Sequence, residues 1–141
     1  MKKIAVVYWS GTGNTQAMAS AVVDGVDETR AQAELIPCEK FEASQLEAAD
    51  AIAFGCPAMG AEVLEETVFE PMFTACEPLL KGKSIALFGS YGWGDGAWMR
   101  NWEQRCAAAG AVFICESVIC ADAPDDRTVA LCKSMGAALA Q

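Results

Sequence analysis

The residues able to do chemistry in this chain gather in three short stretches, and the first is Ser10-Gly-Thr-Gly-Asn-Thr15. It follows an apolar run, Ile4 to Tyr8, and precedes apolar residues at helical spacing, Met18, Val22 and Val26. A strand, a hydroxyl- and glycine-rich turn and then a helix make an anion site. The helix start presents unpaired N–H groups and the positive end of its dipole. Gly11 and Gly13 let the backbone come close to an anion. Ser10, Thr12 and Thr15 add hydroxyl donors, and Asn14 an amide. No Lys or Arg lies in the loop, so it departs from the Lys-ended triphosphate loop, and the third Gly of a dinucleotide fingerprint is missing. Neutral donors suit a phosphate monoester held as its dianion without a metal. Taken alone, the stretch also reads as a glycine turn with hydroxyl caps that binds nothing.

The second stretch, Gly55-Cys-Pro-Ala-Met-Gly60 with Ala61 and Glu62, follows the apolar run Asp50 to Phe54. Met59 offers a soft thioether to a flat ring. Gly60 supplies a peptide that can rotate, and Pro57 stiffens the loop. Met59 alone reads equally as a core side chain, and Glu62 as a solvated carboxylate in a helix's first turn. If Met59–Glu62 is a β-turn, a type II form puts positive φ on Ala61, which costs roughly 1 kcal/mol more than on Gly. Type II′, with positive φ at Gly60, is therefore expected. The third stretch, Gly89-Ser-Tyr-Gly-Trp-Gly-Asp-Gly96, follows Ser84 to Phe88. Its glycines can lay the Trp93 ring flat on a planar ligand; alternatively Trp93 plugs an edge of the core. Trp9 either walls a site or packs.

The elements that must position these loops alternate strand and helix. Lys3–Trp9 reads as a strand, and a helix runs from Asn14 to about Gly25–Glu28. Ala33–Pro37 is a short strand with Pro37 at its end or on a sheet edge. Ser44–Glu47 fits the capping box of a short helix. After strand Asp50–Phe54, Leu64, Val68 and Met72 mark a helix that Pro71 interrupts or opens. Ser84–Phe88 is the fourth strand. A helix from Ala97 to Ala109 carries Trp98, Trp102 and Cys106 on one face and stops at Gly110. A fifth strand lies within Ala111–Ala121. The last helix starts at Pro124-Asp-Asp126, with Leu131, Met135 and Leu139 on its buried stripe. Five such units predict an α/β fold with a parallel sheet and helices on both faces. The three loops leave the C-terminal ends of strands one, three and four, which meet at the switch point of an open parallel sheet.

Composition bounds the rest. The 141 residues, 53% apolar, fit one domain spanning 1–141. No apolar run of about 18 residues exists, and the start is too short in its apolar part for a signal peptide, so a cytoplasmic location is expected. The net charge of −9, from 10 basic and 19 acidic residues, argues against nucleic acid and membrane and for basic protein partners. The absence of His removes the usual general base and metal ligand; no catalytic residue and no metal site is expected. Seven scattered Cys without a C-x-x-C read as reduced, packed thiols.

The three loops, in this order and each after a strand, resemble the flavodoxin family, and the resemblance covers essentially the whole chain. Ser10–Thr15 is similar to the S/T-x-T-G-x-T loop that grips the phosphate of FMN there. The resemblance implies a doubly wound, five-stranded parallel sheet of order 2-1-3-4-5. With no insert splitting the strand-five region, it implies the short-chain type. It implies that Ser10, Gly11, Thr12, Gly13, Asn14 and Thr15 hold the phosphate. Pro57, Ala58, Met59, Gly60, Ala61 and Glu62 would form the loop beside the ring. There Met59 packs one face, the Gly60 carbonyl accepts the N5–H of the reduced flavin, and Glu62 takes the N3–H. Ser90, Tyr91, Gly92 and Trp93 would complete the site, with Trp93 over the second face and backbone N–H groups on the pyrimidine carbonyls. Ala61 departs from the Asp, Asn, Ser or Gly more usual in the family.

The implied function is that of a low-potential one-electron carrier without substrate turnover. It would bind FMN non-covalently and shuttle between semiquinone and hydroquinone. Redox partner proteins would dock through their Lys and Arg, and the carrier would be a monomer. Glu62, Glu65, Glu66 and Asp95 would set an acidic field that disfavours charge on the hydroquinone. A small FMN-dependent NAD(P)H reductase is the alternative; it needs room over the ring and a basic patch, where this chain has acidic loops. A phospho-receiver domain needs an Asp where Gly55-Cys56 stands. A domain that binds FMN as a sensor is a third class.

Overall fold

A computed structural model describes all 141 residues. Its strands are β1 (Lys3–Tyr8), β2 (Gln32–Pro37), β3 (Ala51–Gly55), β4 (Ser84–Tyr91), β5 (Val112–Phe113) and β6 (Val118–Ala121). Its helices are α1 (Asn14–Asp27), α2 (Phe69–Cys76), α3 (Ala97–Ala108) and α4 (Asp126–Leu139). The strands form one parallel sheet in the order β2-β1-β3-β4-β5, with β6 also paired to β4. The expected order 2-1-3-4-5 is borne out.

The central strands are apolar because both faces are covered. β3 is buried at every position, and β1 and β4 nearly so. β2 pairs only with β1, so it is an edge strand, and Pro37 is its last residue. On one face, Phe69 and Phe73 of α2 and Trp98 and Trp102 of α3 pack over Phe54 and Ile52. Trp102 stands edge-on to Phe69 and Phe73, with ring centroids 5.5 and 5.6 Å away. Arg105 ties this layer together. Its guanidinium forks onto Glu70, reaches Glu77 at 2.7 Å and lies 5.0 Å above the Phe73 ring. On the other face, Met18 and Val22 of α1 and Met135 and Leu139 of α4 cover Val6 and Phe88. Two glycines bring these helices into backbone contact. A Cβ on Gly25 would stand 2.0 Å from the Lys133 carbonyl oxygen, and one on Gly136 2.1 Å from that of Val22.

Four expectations change. The crossover from β2 to β3 carries no α-helix, only 3-10 turns at Cys38–Lys40 and Ala43–Gln45. The Gln45 side chain accepts the Glu42 N–H at 2.7 Å, so the capping interaction lies two residues before the Ser44–Glu47 box. Strand five is two short strands: Phe113 stands beside Ile85 and Val118 beside Phe88, so the outer chain advances five residues where β4 advances three, and it bulges. α2 begins at Phe69 rather than near Leu64, with Pro71 in its first turn, where a missing N–H is harmless. Leu131 is 46% exposed, and the buried stripe of α4 runs through Thr128, Cys132, Met135 and Leu139. No helix is long and apolar enough to cross a membrane. All seven thiols are free, five of them buried; burial pushes the Cys38 thiol up to about 12.

Candidate functional site

The loop after β1 is wound on one hydroxyl. Ser10 Oγ accepts the N–H of Gly13 at 3.1 Å and that of Gln16 at 3.3 Å, which curls the chain into α1. Gly13 sits just before the helix at φ 99°, a conformation that favours glycine. The backbone N–H groups of Thr12, Asn14 and Thr15 find no acceptor within the protein. Together with the Thr12 hydroxyl and the Asn14 amide they form a cup of neutral donors at a helix N-terminus. Trp9 leans over this cup, 3.0 Å from where a Gly11 Cβ would stand.

Thr15 has a different job from its neighbours. It is 1% exposed, and its hydroxyl meets Ser90 Oγ at 3.2 Å and the Ser90 N–H at 3.4 Å. The first loop is thereby pinned to the third. The second loop is pinned to the third as well. Ala58 N–H donates to the Ser90 carbonyl at 3.1 Å, and Trp98 Nε1 donates to the Cys56 carbonyl at 3.0 Å. Gly89 makes this approach possible, because a Cβ there would stand 2.2 Å from the Cys56 carbonyl oxygen.

These contacts enclose a cleft of about 210 Å³ at the C-terminal ends of β1, β3 and β4. Ser10, Gly11, Thr12, Asn14 and Thr15 line it from the first loop, Pro57, Ala58 and Met59 from the second, and Ser90, Tyr91 and Gly92 from the third. Trp9 and Asp122 complete the wall. Asp122 was not among the expected residues. It follows β6 at φ 57° and donates its N–H to the Tyr91 carbonyl at 2.8 Å. An acidic residue just past a strand's C-terminal end, in a sheet whose other such loops carry the site, was the available signal. Gly13, Gly60, Ala61, Glu62 and Trp93 stand outside the wall, Trp93 on the surface at 60% exposure. A larger groove of about 370 Å³ lies at the opposite ends of the strands, around Lys3, Ala33 and Phe41; it is mainly apolar and has no cup of converging donors.

The Met59 loop is not the expected four-residue turn. Met59 and Val63 exchange both backbone hydrogen bonds, at 2.8 and 2.9 Å, so the hairpin closes one residue later. Gly60 takes φ 50° and Ala61 stays out of the positive region, as the strain argument requires; the second positive φ, 55°, falls on Glu62. The Glu62 carboxylate accepts the Ala97 N–H at 3.1 Å, at the start of α3, where the helix dipole favours it. Gly94, at φ 88°, leaves it room: a Cβ there would stand 2.5 Å from Glu62 Oε1.

The acidic field is also rearranged. Asp95 pairs with Arg100 at 3.0 Å. Glu65 is buried; burial pushes its carboxyl up, but hydrogen bonds from Thr67, Phe69 and Val68 prevail and hold it at about 2. No cluster of side chains is fit to hold a metal.

The donor set fits a mononucleotide phosphate. The cup is uncharged, offers N–H and O–H groups and needs no metal, and glycines open the walls above it. The chain matches the flavodoxin family model over residues 6–134. It is 44% identical to the flavodoxin of Megasphaera elsdenii over 138 residues, 98% of each chain. It is 43% identical to that of Clostridium beijerinckii over 121 residues, 86% of this chain and 88% of the other. Its fold superposes on the solution structure of two-electron reduced Megasphaera elsdenii flavodoxin with a TM-score of 0.90 at 45% identity, covering 97% of this chain and 98% of that one.

Proposed function

The chain belongs to the flavodoxin family, and from that premise we infer how its own residues serve an FMN-binding electron carrier. Bound FMN supplies one-electron redox chemistry; the protein binds, orients and shields it and turns over no substrate of its own. The observation that carries the reading is the convergence of three loops on one cleft whose floor is a cup of neutral donors.

Ser10, Gly11, Thr12, Gly13, Asn14 and Thr15 receive the phosphate. Thr12 and Asn14 donate directly, while Ser10 and Thr15 fix the loop's shape. Met59 would pack one face of the ring system, and backbone N–H groups around Tyr91 and Gly92 would meet its pyrimidine carbonyls. The Gly60 carbonyl would accept a hydrogen bond from a ring N–H, and Glu62, anchored by the Ala97 N–H, would accept one from another ring N–H with its second oxygen. Trp93, exposed on a glycine-flanked loop, closes over the outer face. Pro57, Ala58, Ala61, Ser90 and Gly92 shape the backbone around it.

The 141 residues act as one domain, in the cytoplasm, as a monomer. Redox partner proteins meet it at the cleft's rim, where an acidic carrier attracts basic surfaces. The reductase alternative is not favoured. The test is anaerobic titration of the purified protein with dithionite. A yellow protein that develops a long-wavelength band at half reduction supports the carrier. Direct two-electron bleaching, or oxidation of NAD(P)H by the protein alone, overturns it.

A further inference from the structure

Glu65 does not line the cleft, yet it is the one carboxylate side chain buried in the protein, at 5% exposure. Its oxygens accept the backbone N–H groups of Thr67, Val68 and Phe69 at 2.7 to 2.8 Å, and the Thr67 hydroxyl as well. These donors open α2, whose Phe69 is fixed against Phe73 and Trp102. In the other direction the Glu65 N–H donates to Cys56 Sγ at 3.4 Å. Cys56 is the first residue after β3, and its carbonyl is held by Trp98.

The segment from Cys56 to Glu65 is therefore a loop closed at its base by Glu65 and braced above by the Met59–Val63 pair. On its other side the Ala58 N–H holds to the Ser90 carbonyl at 3.1 Å. Glu62 reaches Ala97, but no atom lies within 4 Å of where a Gly60 Cβ would stand. Ala58 fixes one arm of the loop, and the position of Met59 and Gly60 then depends on how firmly the other arm is anchored to α2 through Glu65.

We propose that Glu65 is a positioning residue for the cofactor-facing tip of this loop, setting where Met59 and the Gly60 carbonyl stand. The proposal rests on the reading above that both face the ring. Hydrogen bonds weaken steeply with misalignment, so a small shift at the base changes what the tip stabilises. The carboxylate is suited to the anchor because both oxygens accept and no proton interferes; a glutamine offers one acceptor oxygen and turns an NH₂ toward N–H donors.

The experiment compares Glu65→Gln with Glu66→Gln. Each removes one negative charge from the same loop, but Glu66 is exposed and its side chain makes no hydrogen bond. Three quantities are read: FMN affinity by fluorescence quenching, the stabilisation of the half-reduced level by anaerobic titration, and amide exchange at Met59 and Val63 in the FMN-free protein. Glu65→Gln is expected to speed exchange at both amides. It should lower FMN affinity and half-reduced stabilisation by about tenfold, the size of one lost charge-assisted hydrogen bond. Glu66→Gln reports what the loss of one exposed, screened charge from the acidic field does by itself, and its shifts should be several-fold smaller than those of Glu65→Gln. Thr67→Val removes one donor and keeps the carboxylate; it should act in the same direction more weakly, and it serves if Glu65→Gln does not fold. If Glu65→Gln, or Thr67→Val in its place, matches Glu66→Gln in affinity and half-reduced stabilisation and only lowers the melting temperature, Glu65 is a fold anchor and the proposal is overturned. If wild type itself takes up no FMN, it is the carrier reading that fails.

Discussion

At the scale of single residues, Gly94 decides where Glu62 can be. It takes φ 88°, and a Cβ would overlap the carboxylate that reaches Ala97. Gly94→Ala is expected to incur roughly 1 kcal/mol of backbone strain and to push Glu62 off the α3 terminus. FMN affinity should then fall by about tenfold, the size of one lost charge-assisted hydrogen bond. Fluorescence titration measures the affinity, and urea unfolding of the FMN-free protein separates it from stability. Most of the Ser10–Thr15 loop and Met59 line the cleft, and they were legible in the sequence because three such loops follow strands in order, although each alone had a purely structural reading. Glu65 was not. A glutamate beside Glu66 in an acidic run looks solvated, and its partners are backbone N–H groups, which carry no letter in the sequence. Asp122 was missed because its loop has no glycine or aromatic residue to mark it.

Elements were legible where a period was strong. Trp98, Trp102 and Cys106 recur at helical spacing and are buried as a face of α3. In α4 the same reasoning chose the wrong phase at Leu131, because the face toward α1 is set by Gly136 and Cys132, small residues that weigh little in a hydrophobic pattern. The bulge between β5 and β6 follows from pairing with β4, which a local period does not report. The Gly25–Gly136 crossing carries the prediction at this scale. Gly136→Ala places a methyl 2.1 Å from the Val22 carbonyl oxygen, so α1 and α4 must part. Overpacking of this kind destabilises by about 1–3 kcal/mol. The expected outcome is a lower urea midpoint together with weaker FMN binding, because α1 carries the cup of unpaired donors at its N-terminus. An unchanged affinity in the folded variant would show that the cup does not need the crossing.

For the whole molecule, the charge of −9 governs encounters more than architecture. Electron transfer to a basic acceptor protein should slow by roughly tenfold when ionic strength rises from about 0.01 to 0.15 M, and transfer to a small neutral acceptor should barely change. Stopped-flow measurements on both acceptors test this. Equal salt dependence would remove electrostatic steering from the account. At this scale the sheet order came with the resemblance of the three loops to the flavodoxin family; the loops by themselves require only a parallel sheet whose strands one, three and four end at a common crevice. The contact between α1 and α4 also has a bearing on how the protein is made. A ribosome delivers Asn14–Asp27 about a hundred residues before Asp126–Leu139, so the donor cup exists as sequence long before the helix that braces α1 emerges. Firm capture of the cofactor therefore belongs to the end of synthesis, and nascent chains stalled before α4 should leave the exit tunnel colourless.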